Sequence, residues 1–467
     1  MNVDVAVLGG GPAGYTAAIR AAQLGGKVAC IEREPALGGT CLRVGCIPTK
    51  AWVQSAHAYH DAQETFAKLG VQVGPPSLDF ATVASWKDGV VTQMTGGVAS
   101  LLKANGVDWV QGNGRFTGPT TIAVEGAEDV TFTSAIVATG SFPVRPPIPG
   151  IEAPRCVDST GLLAQTEIPA RLVILGGGII GCEFASIFNR FGTEVTIIEM
   201  LPTLIPAEDE DAAKELAKAF KKREVAMHLA KQCTQVDDHG GHLTVHFGEG
   251  ETVDCDLMLV SVGRAALVDG IGLEEAGVTF DRNGIGTDDH RRTNVPNIYA
   301  AGDVAGYWQL AHTGFREGEV AAENAMGHDA TVGEPAVPRP IYTDPEIAGV
   351  GLTEAQAREL HGDDVAVGVF PWVANARAVM QAETVGWVKS IHETKYGELL
   401  GIVMVGPHVT DLIEAGTVAI DAESTVETVA DGMAAHPTLS EAIKEAGLLA
   451  LGRAIHMPNK KRAAAKA

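Results

Sequence analysis

The sequence predicts an α/β protein in which one strand–helix–strand unit is written twice, followed by a smaller α+β domain. Residues 3–8 and 171–175 are apolar runs that end in matching glycine-rich turns, Gly9-Gly10-Gly11-Pro12-Ala13-Gly14 and Gly176-Gly177-Gly178-Ile179-Ile180-Gly181. A shift of 167 residues superposes Gly9, Gly11, Gly14, Ala18, Gly25, Val28, Ile31 and Glu32 on Gly176, Gly178, Gly181, Ala185, Gly192, Val195, Ile198 and Glu199. Unrelated glycine-rich turns would not keep this common register. From about Arg339 the texture changes to alternating strands, 386–391 and 399–405 among them, with helices over 410–421 and 439–449.

In the first unit a helix over 15–24 follows the turn, and a strand over 27–31 ends in Glu32. The glycines let the backbone approach a pyrophosphate at the helix N-terminus, and the acid is placed for ribose hydroxyls, so each unit reads as a Rossmann-like dinucleotide fold. The second unit repeats this with a helix through Phe191 and a strand over 194–198 ending in Glu199. Glu199 would repel a 2′-phosphate, and Met200 and Leu201 add no cation, which selects NAD over NADP.

Between the units lie a helix over 86–105 and a strand ending at Ala138-Thr139-Gly140. Pro143, Pro146, Pro147 and Pro149 form a linker into the second fold. Its strand pattern closes over 257–263. The strand Asn297-Ile298-Tyr299-Ala300-Ala301-Gly302-Asp303 then ends in an acid suited to a cofactor's sugar-like chain, or equally to capping a helix. The basic, alanine-rich end over 457–467 is expected to fray.

Composition narrows the function. A length of 467 residues suggests about three domains. A formal charge of -23 and a pI near 5.0 disfavour nucleic acid and anionic membranes as partners. The chain enters directly into an apolar strand without a basic leader, and no run of about 18 apolar residues occurs, so a soluble, cytoplasmic protein is expected. Seven scattered cysteines do not form a secreted framework. Cys30, Cys156, Cys182, Cys233 and Cys255 read as free thiols.

Two more thiols stand apart, in Gly39-Thr40-Cys41-Leu42-Arg43-Val44-Gly45-Cys46-Ile47-Pro48-Thr49-Lys50. Residues five apart on a regular helix have Cα atoms roughly 8–9 Å apart, beyond the roughly 4.4–6.8 Å a disulfide spans. A redox pair therefore needs a distorted turn, which Gly45 allows. If a helix runs on through Pro48, Lys50 lies on the face of Cys46 and favours its thiolate. The competing reading is zinc held by Cys41, Cys46, His57 and His60. His436-Pro437-Thr438-Leu439-Ser440-Glu441 is similarly double: Thr438 and Glu441 match a capping box with Pro437 at a helix start. A carboxylate five residues after a histidine can also hold the imidazole in one tautomer for proton transfer.

Together the two nucleotide signatures, the segment from Gly39 to Lys50, Ala138-Thr139-Gly140, Ala301-Gly302-Asp303, Thr343-Asp344-Pro345-Glu346-Ile347-Ala348 and the segment from His436 to Glu441 resemble the pyridine nucleotide-disulfide oxidoreductases, over essentially the whole chain. The resemblance implies an FAD-binding part at 1–148 and 269–338, an NAD-binding part at 149–268 and a C-terminal dimerisation domain at 339–467. It implies FAD held by the first glycine fold with Glu32, Lys50 and Asp303. NAD would be held by the second fold with Glu183 and Glu199, and Thr139, Gly140 and Gly263 are further cofactor-binding positions. Cys41 and Cys46 become the redox pair, and no metal is implied.

His436 and Glu441 would act on the partner subunit's disulfide in a homodimer, which turns the preference at this motif from capping to chemistry. The substrate implied is dihydrolipoamide on the lipoyl domains of an acyltransferase or glycine-cleavage H protein. Mercuric and large thioredoxin reductases need C-terminal thiols, whereas the last cysteine is Cys255. Glutathione reductases carry NADP-binding arginines. Arg43 and Thr49 replace the usual Asn and Ser, and Thr313 stands where lysine normally follows the histidine at 312.

Overall fold

The computed structural model describes residues 1–333 and 336–459. At the centre of the first sheet, Asn2–Leu8 pairs in parallel with Val28–Glu32 on one side and Val130–Val137 on the other. Asp108–Gln111 extends one edge, and Ile298–Ala300 joins Val130–Val137 in parallel after the chain has left and returned. Val28–Glu32 and Ile298–Ala300 are buried throughout and read as apolar runs, whereas edge strand Asp108–Gln111 is largely exposed and Val130–Val137 alternates over its first half. Helix Pro12–Gln23 buries Ala13, Ala17, Ala18 and Ala21. Such small residues admit the later helix Ala311–Ala325 closely: a Cβ on Gly318 would stand 2.4 Å from the Ala13 carbonyl oxygen.

The second sheet repeats the design, with Arg171–Leu175 between parallel strands Glu194–Ile198 and Leu257–Val260. The proline-rich linker begins as a strand: Ser141–Pro143 pairs antiparallel with Arg264–Ala266. Entry to and exit from the second unit thus run side by side.

A third, antiparallel sheet takes the order Arg339–Ile341, Glu346–Gly351, Leu399–Gly406, Trp387–Glu393, Val365–Pro371. Helices Val409–Asp421 and Glu441–Ala450 pack with it.

One aromatic cluster fixes how the units meet. Trp52, on helix Cys46–His60, stands edge-on to Phe188 of helix Ile179–Arg190 with ring centroids 5.9 Å apart. Phe80 and Phe191 complete the cluster. This contact sets the thiol-bearing helix against the second nucleotide fold.

Helix ends differ from expectation. The helix expected from residue 86 begins at Phe80, because the Asp79 carboxylate accepts the Ala81 and Thr82 amides. The last helix begins at Glu441 rather than 439. Among the described residues no helix is long and apolar enough to cross a membrane. The expected frayed end falls mainly on 460–467, outside the described residues.

Candidate redox site

Both glycine turns open onto one cavity of about 1440 Å³. The N-termini of Pro12–Gln23 and Ile179–Arg190 start at Gly11 and Gly178 with no side-chain cap, so their free N–H groups can receive an anion. The glycines divide by role. A Cβ on Gly14 would lie 1.9 Å from the Gly9 oxygen, and one on Gly181 2.0 Å from the Gly176 oxygen, so these permit helix–strand contact. Gly9 and Gly176 adopt φ of 110° and 111°. At Gly178 an added Cβ meets nothing within 4 Å, and at Gly11 only ordinary contact at 3.7 Å. Protein packing does not demand glycine at these two positions, and the open space beside them leaves room for close backbone approach by a dinucleotide phosphate. FAD and NAD fit these cradles.

The repeat extends to hydrogen bonds. Gly10 N–H donates to Glu32 at 2.8 Å and Glu34 N–H at 3.0 Å. Gly177 N–H and Leu201 N–H each donate to Glu199 at 2.6 Å. Each acid thus braces its own turn, and its remaining lone pairs can accept ribose hydroxyls. The sequence reading missed Lys231, which also lines the cavity; Glu251 neutralises its ammonium at 2.9 Å.

The thiol stretch is broken where expected. Helices Gly39–Val44 and Cys46–His60 meet at Gly45, whose φ of -141° and ψ of -110° depart from helix. A Cβ there would meet the Thr40 oxygen at 2.8 Å. Cys41 and Cys46 are free thiols, Cys41 half-buried and Cys46 open to the cavity. A hydrogen bond from Cys41 is the main cause that brings the Cys46 thiol down to about 7; burial opposes this and the Lys50 charge assists. The Cys41 thiol is pushed up, first by donating that bond.

Lys50 Nζ donates to both Glu183 oxygens, at 2.8 and 2.9 Å, and lies 4.6 Å from the centre of the Tyr342 ring. Burial works against its charge, but Glu183 and Cys46 outweigh it and hold the ammonium above its usual range. In the reduced, flavin-free chain, thiolate absorbance is therefore expected to rise with pH through a first midpoint near 7. Lys50→Met should move that midpoint upward; an ultraviolet titration in which it stays in place would refute Lys50's part.

Asp303 caps no helix: the short turn Asp303–Ala305 is preceded by Gly302 without a side-chain cap, and the carboxylate accepts from Ser141 Oγ. Thr139, Gly140 and Gly263 line the cavity with it. The Thr139 hydroxyl donates to the Leu267 oxygen at 2.8 Å. Of the departures, Arg43 pairs with Glu34 at 2.8 Å, and the Thr313 hydroxyl donates to the Leu310 oxygen at 2.7 Å. Nothing in the structure explains Thr49.

His436 and Glu441 form their pair, Nδ1 to Oε1, at 2.9 Å. The other Glu441 oxygen accepts the Thr438 amide at 2.9 Å, while the Thr438 hydroxyl turns to the Ala435 oxygen. Half of the capping box is present, and one carboxylate serves both purposes. Burial resists the Glu441 charge, but the Thr438 amide and His436 hold its carboxyl below the usual range. His436 is 74% exposed and does not line the cavity, so a single chain does not bring it to the thiols. The zinc reading is not assembled: among the described residues no three His, Cys, Asp or Glu side chains are grouped to hold a metal, and His60 faces Arg190 at 2.8 Å.

Two nucleotide cradles sharing a cavity with a dithiol and a half-buried lysine define a nucleotide-dependent disulfide oxidoreductase. The chain belongs to the family described as "Pyridine nucleotide-disulphide oxidoreductase", whose pattern matches residues 3–318, and the family's dimerisation domain matches 337–447. It is an FAD-dependent, NAD-linked member that works as a homodimer.

A dihydrolipoyl dehydrogenase of Bacillus subtilis (strain 168) is 41% identical over 460 residues, 97% of this chain and 100% of the relative. A leghemoglobin reductase of Vigna unguiculata is 38% identical, covering 95% of this chain and 87% of its own. Among solved structures, the Cu(II) complex of the HOCl-induced flavoprotein disulfide reductase RclA from Escherichia coli superposes with a TM-score of 0.88 at 30% identity, covering 96% of this chain and 99% of that one.

Proposed function

We propose that this enzyme is a dihydrolipoyl dehydrogenase, oxidising protein-bound dihydrolipoamide and reducing NAD. The observation that carries the reading is the Cys46 thiol, lowered by Cys41 and Lys50 and open to a cavity that both nucleotide cradles share. Residues 1–148 and 269–338 bind FAD, 149–268 bind NAD and 339–467 form the dimer. Gly9, Gly11, Gly14, Glu32, Lys50 and Asp303 belong to the first cradle, with Thr139 and Gly140 beside it. Gly176, Gly178, Gly181, Glu183, Glu199 and Gly263 belong to the second.

In the oxidised enzyme Cys41 and Cys46 are joined. The partner subunit's His436, oriented by Glu441, takes a proton from one substrate thiol. The resulting thiolate attacks the Cys41 sulfur, a substrate–Cys41 bond forms, and Cys46 leaves as a thiolate that Lys50 stabilises. The second substrate thiol loses its proton to solvent as its sulfur closes the lipoamide ring, and the released Cys41 takes the proton held by His436. FAD held by the Gly9–Gly14 turn with Glu32 and Asp303 would supply the two-electron chemistry that links the dithiol to NAD.

The dithiol reaches the site on lipoyl domains of an acyltransferase or a glycine-cleavage H protein. The cytoplasm, where unbridged thiols persist, is the proposed compartment. The experiment compares dihydrolipoamide, glutathione and mercuric ion in one NAD(H)-linked assay. Dihydrolipoamide should dominate, and preference for either competitor would replace this reading with another disulfide reductase.

Coenzyme choice follows from Glu199. With its acid braced at the cradle and Lys231 already neutralised by Glu251, a 2′-phosphate meets negative charge without a free partner. NADH is expected to be strongly preferred, and equal kcat/KM with NADPH would refute the assignment.

A further inference from the structure

The antiparallel ribbon where the chain enters and leaves the second unit holds an arginine that the cofactor reading leaves without a role. Arg264 follows Gly263 and lines the shared cavity, and no carboxylate among the described residues stands within ion-pair distance of it. Its guanidinium instead holds three atoms of the first unit. Nε donates to Ser141 Oγ at 2.8 Å, and Nη2 donates to the Ser141 carbonyl at 2.7 Å and to Thr40 Oγ1 at 3.4 Å. Ser141 Oγ in turn donates to Asp303 Oδ2.

Donor chemistry fixes the direction of this chain. A guanidinium can only donate and a carboxylate can only accept, while a hydroxyl has a single proton. Once Arg264 Nε occupies a Ser141 lone pair, the Ser141 proton goes to Asp303 and the carboxylate is held in one orientation. We propose that Arg264 is a positioning residue for FAD, contributed by the second nucleotide unit, which aims Asp303 through Ser141 at the sugar-like chain of the flavin. Asp303 also contributes to the electrostatic balance around the half-buried guanidinium, which burial otherwise holds below its usual range. The first cradle is thus incomplete without residues from within 149–268. Arg264 also spans Thr40, next to Cys41, so the same guanidinium ties the flavin turn to the start of the thiol helix.

The inference rests on the reading of Asp303 as a flavin ligand, and the test separates the two. FAD affinity is measured by reconstituting flavin-free protein, and flavin absorbance and KM for NAD are then recorded at saturating FAD. Asp303→Asn should weaken FAD; retention of full affinity would remove the underlying reading. Arg264→Met and Ser141→Ala should each weaken FAD by about tenfold, the loss of one charge-assisted hydrogen bond. The double variant should be no weaker than the stronger single one, because the two act along one path. Arg264→Lys should recover part of the loss, while KM for NAD stays at the wild-type value throughout.

Unchanged FAD affinity in Arg264→Met, additive losses in the double variant, or a raised KM for NAD with FAD intact would each overturn the proposal while leaving Asp303 in place. Ser141→Ala removes one small buried hydroxyl, so it keeps the test open if Arg264→Met fails to fold.

Discussion

Cys46→Ser is expected to lower dihydrolipoamide-to-NAD turnover by at least about a thousandfold while the protein still purifies yellow. Two properties of the site set the size of the effect. The first is the leaving group: a mixed disulfide on Cys41 can form only if Cys46 departs, and the Lys50 charge beside Cys46 favours its departure as the anion. A serine hydroxyl cannot form the disulfide at all. The second is the sulfur pair as a unit: Cys41→Ser should cost as much, and the double variant no more than either, because a disulfide needs both atoms.

Flavin should remain, since the glycine cradle, Glu32 and Asp303 are untouched. NADH-driven reduction of an artificial acceptor, which does not require the dithiol, should also survive. Steady-state assays with dihydrolipoamide and with the artificial acceptor check both halves, and undiminished dihydrolipoamide turnover would remove the relay.

What could be read from the chain alone follows the range of the forces involved. The glycine turns, the acids 22 residues after Gly10 and Gly177, and the change of texture near Arg339 are local signals of turn chemistry and periodicity. The strand Arg171–Leu175 accordingly has its expected bounds. The start of helix Phe80–Ala104 is also local, in the Asp79 cap, but the hydrophobic pattern around it is weak.

Contacts that join the units leave no such trace. Arg190 reaches Asp344 across 154 positions, and Arg264 reaches Ser141 across 123. Neither pair has a spacing that distinguishes it from solvated charge. Glu183 is the intermediate case: its meeting with Lys50 came from family resemblance, whereas the structure adds that the same carboxylate accepts the Tyr342 amide at 2.9 Å. One acid therefore joins the thiol helix, the second nucleotide unit and the C-terminal sheet. The placement of Lys50, and with it the Cys46 thiolate, depends on all three units being docked.

The exposed His436 leads to the other large effect. His436→Ala should reduce turnover by roughly a hundredfold to ten-thousandfold, the usual weight of a positioned proton-transfer group. Its deficit should be smallest at high pH, where the substrate thiol ionises without help. Glu441→Gln should act in the same direction but less, because it leaves the imidazole in place and removes only the charge that orients it at 2.9 Å.

In the proposed mechanism each site takes the histidine of one subunit and the thiols of the other, in keeping with the place of His436 away from the cavity of its own chain. Refolding the inactive Cys46→Ser and His436→Ala chains together then has a specific outcome. A mixed dimer places both lesions in one site and leaves the second intact, so random pairing should restore about a quarter of the wild-type sites. If each site were built within one chain, every site in the mixture would carry one lesion and no activity would return. Activity measured against mixing ratio, highest at equal amounts of the two chains if the proposed arrangement holds, distinguishes the two, because only that arrangement lets the His436–Glu441 pair contribute across a subunit boundary.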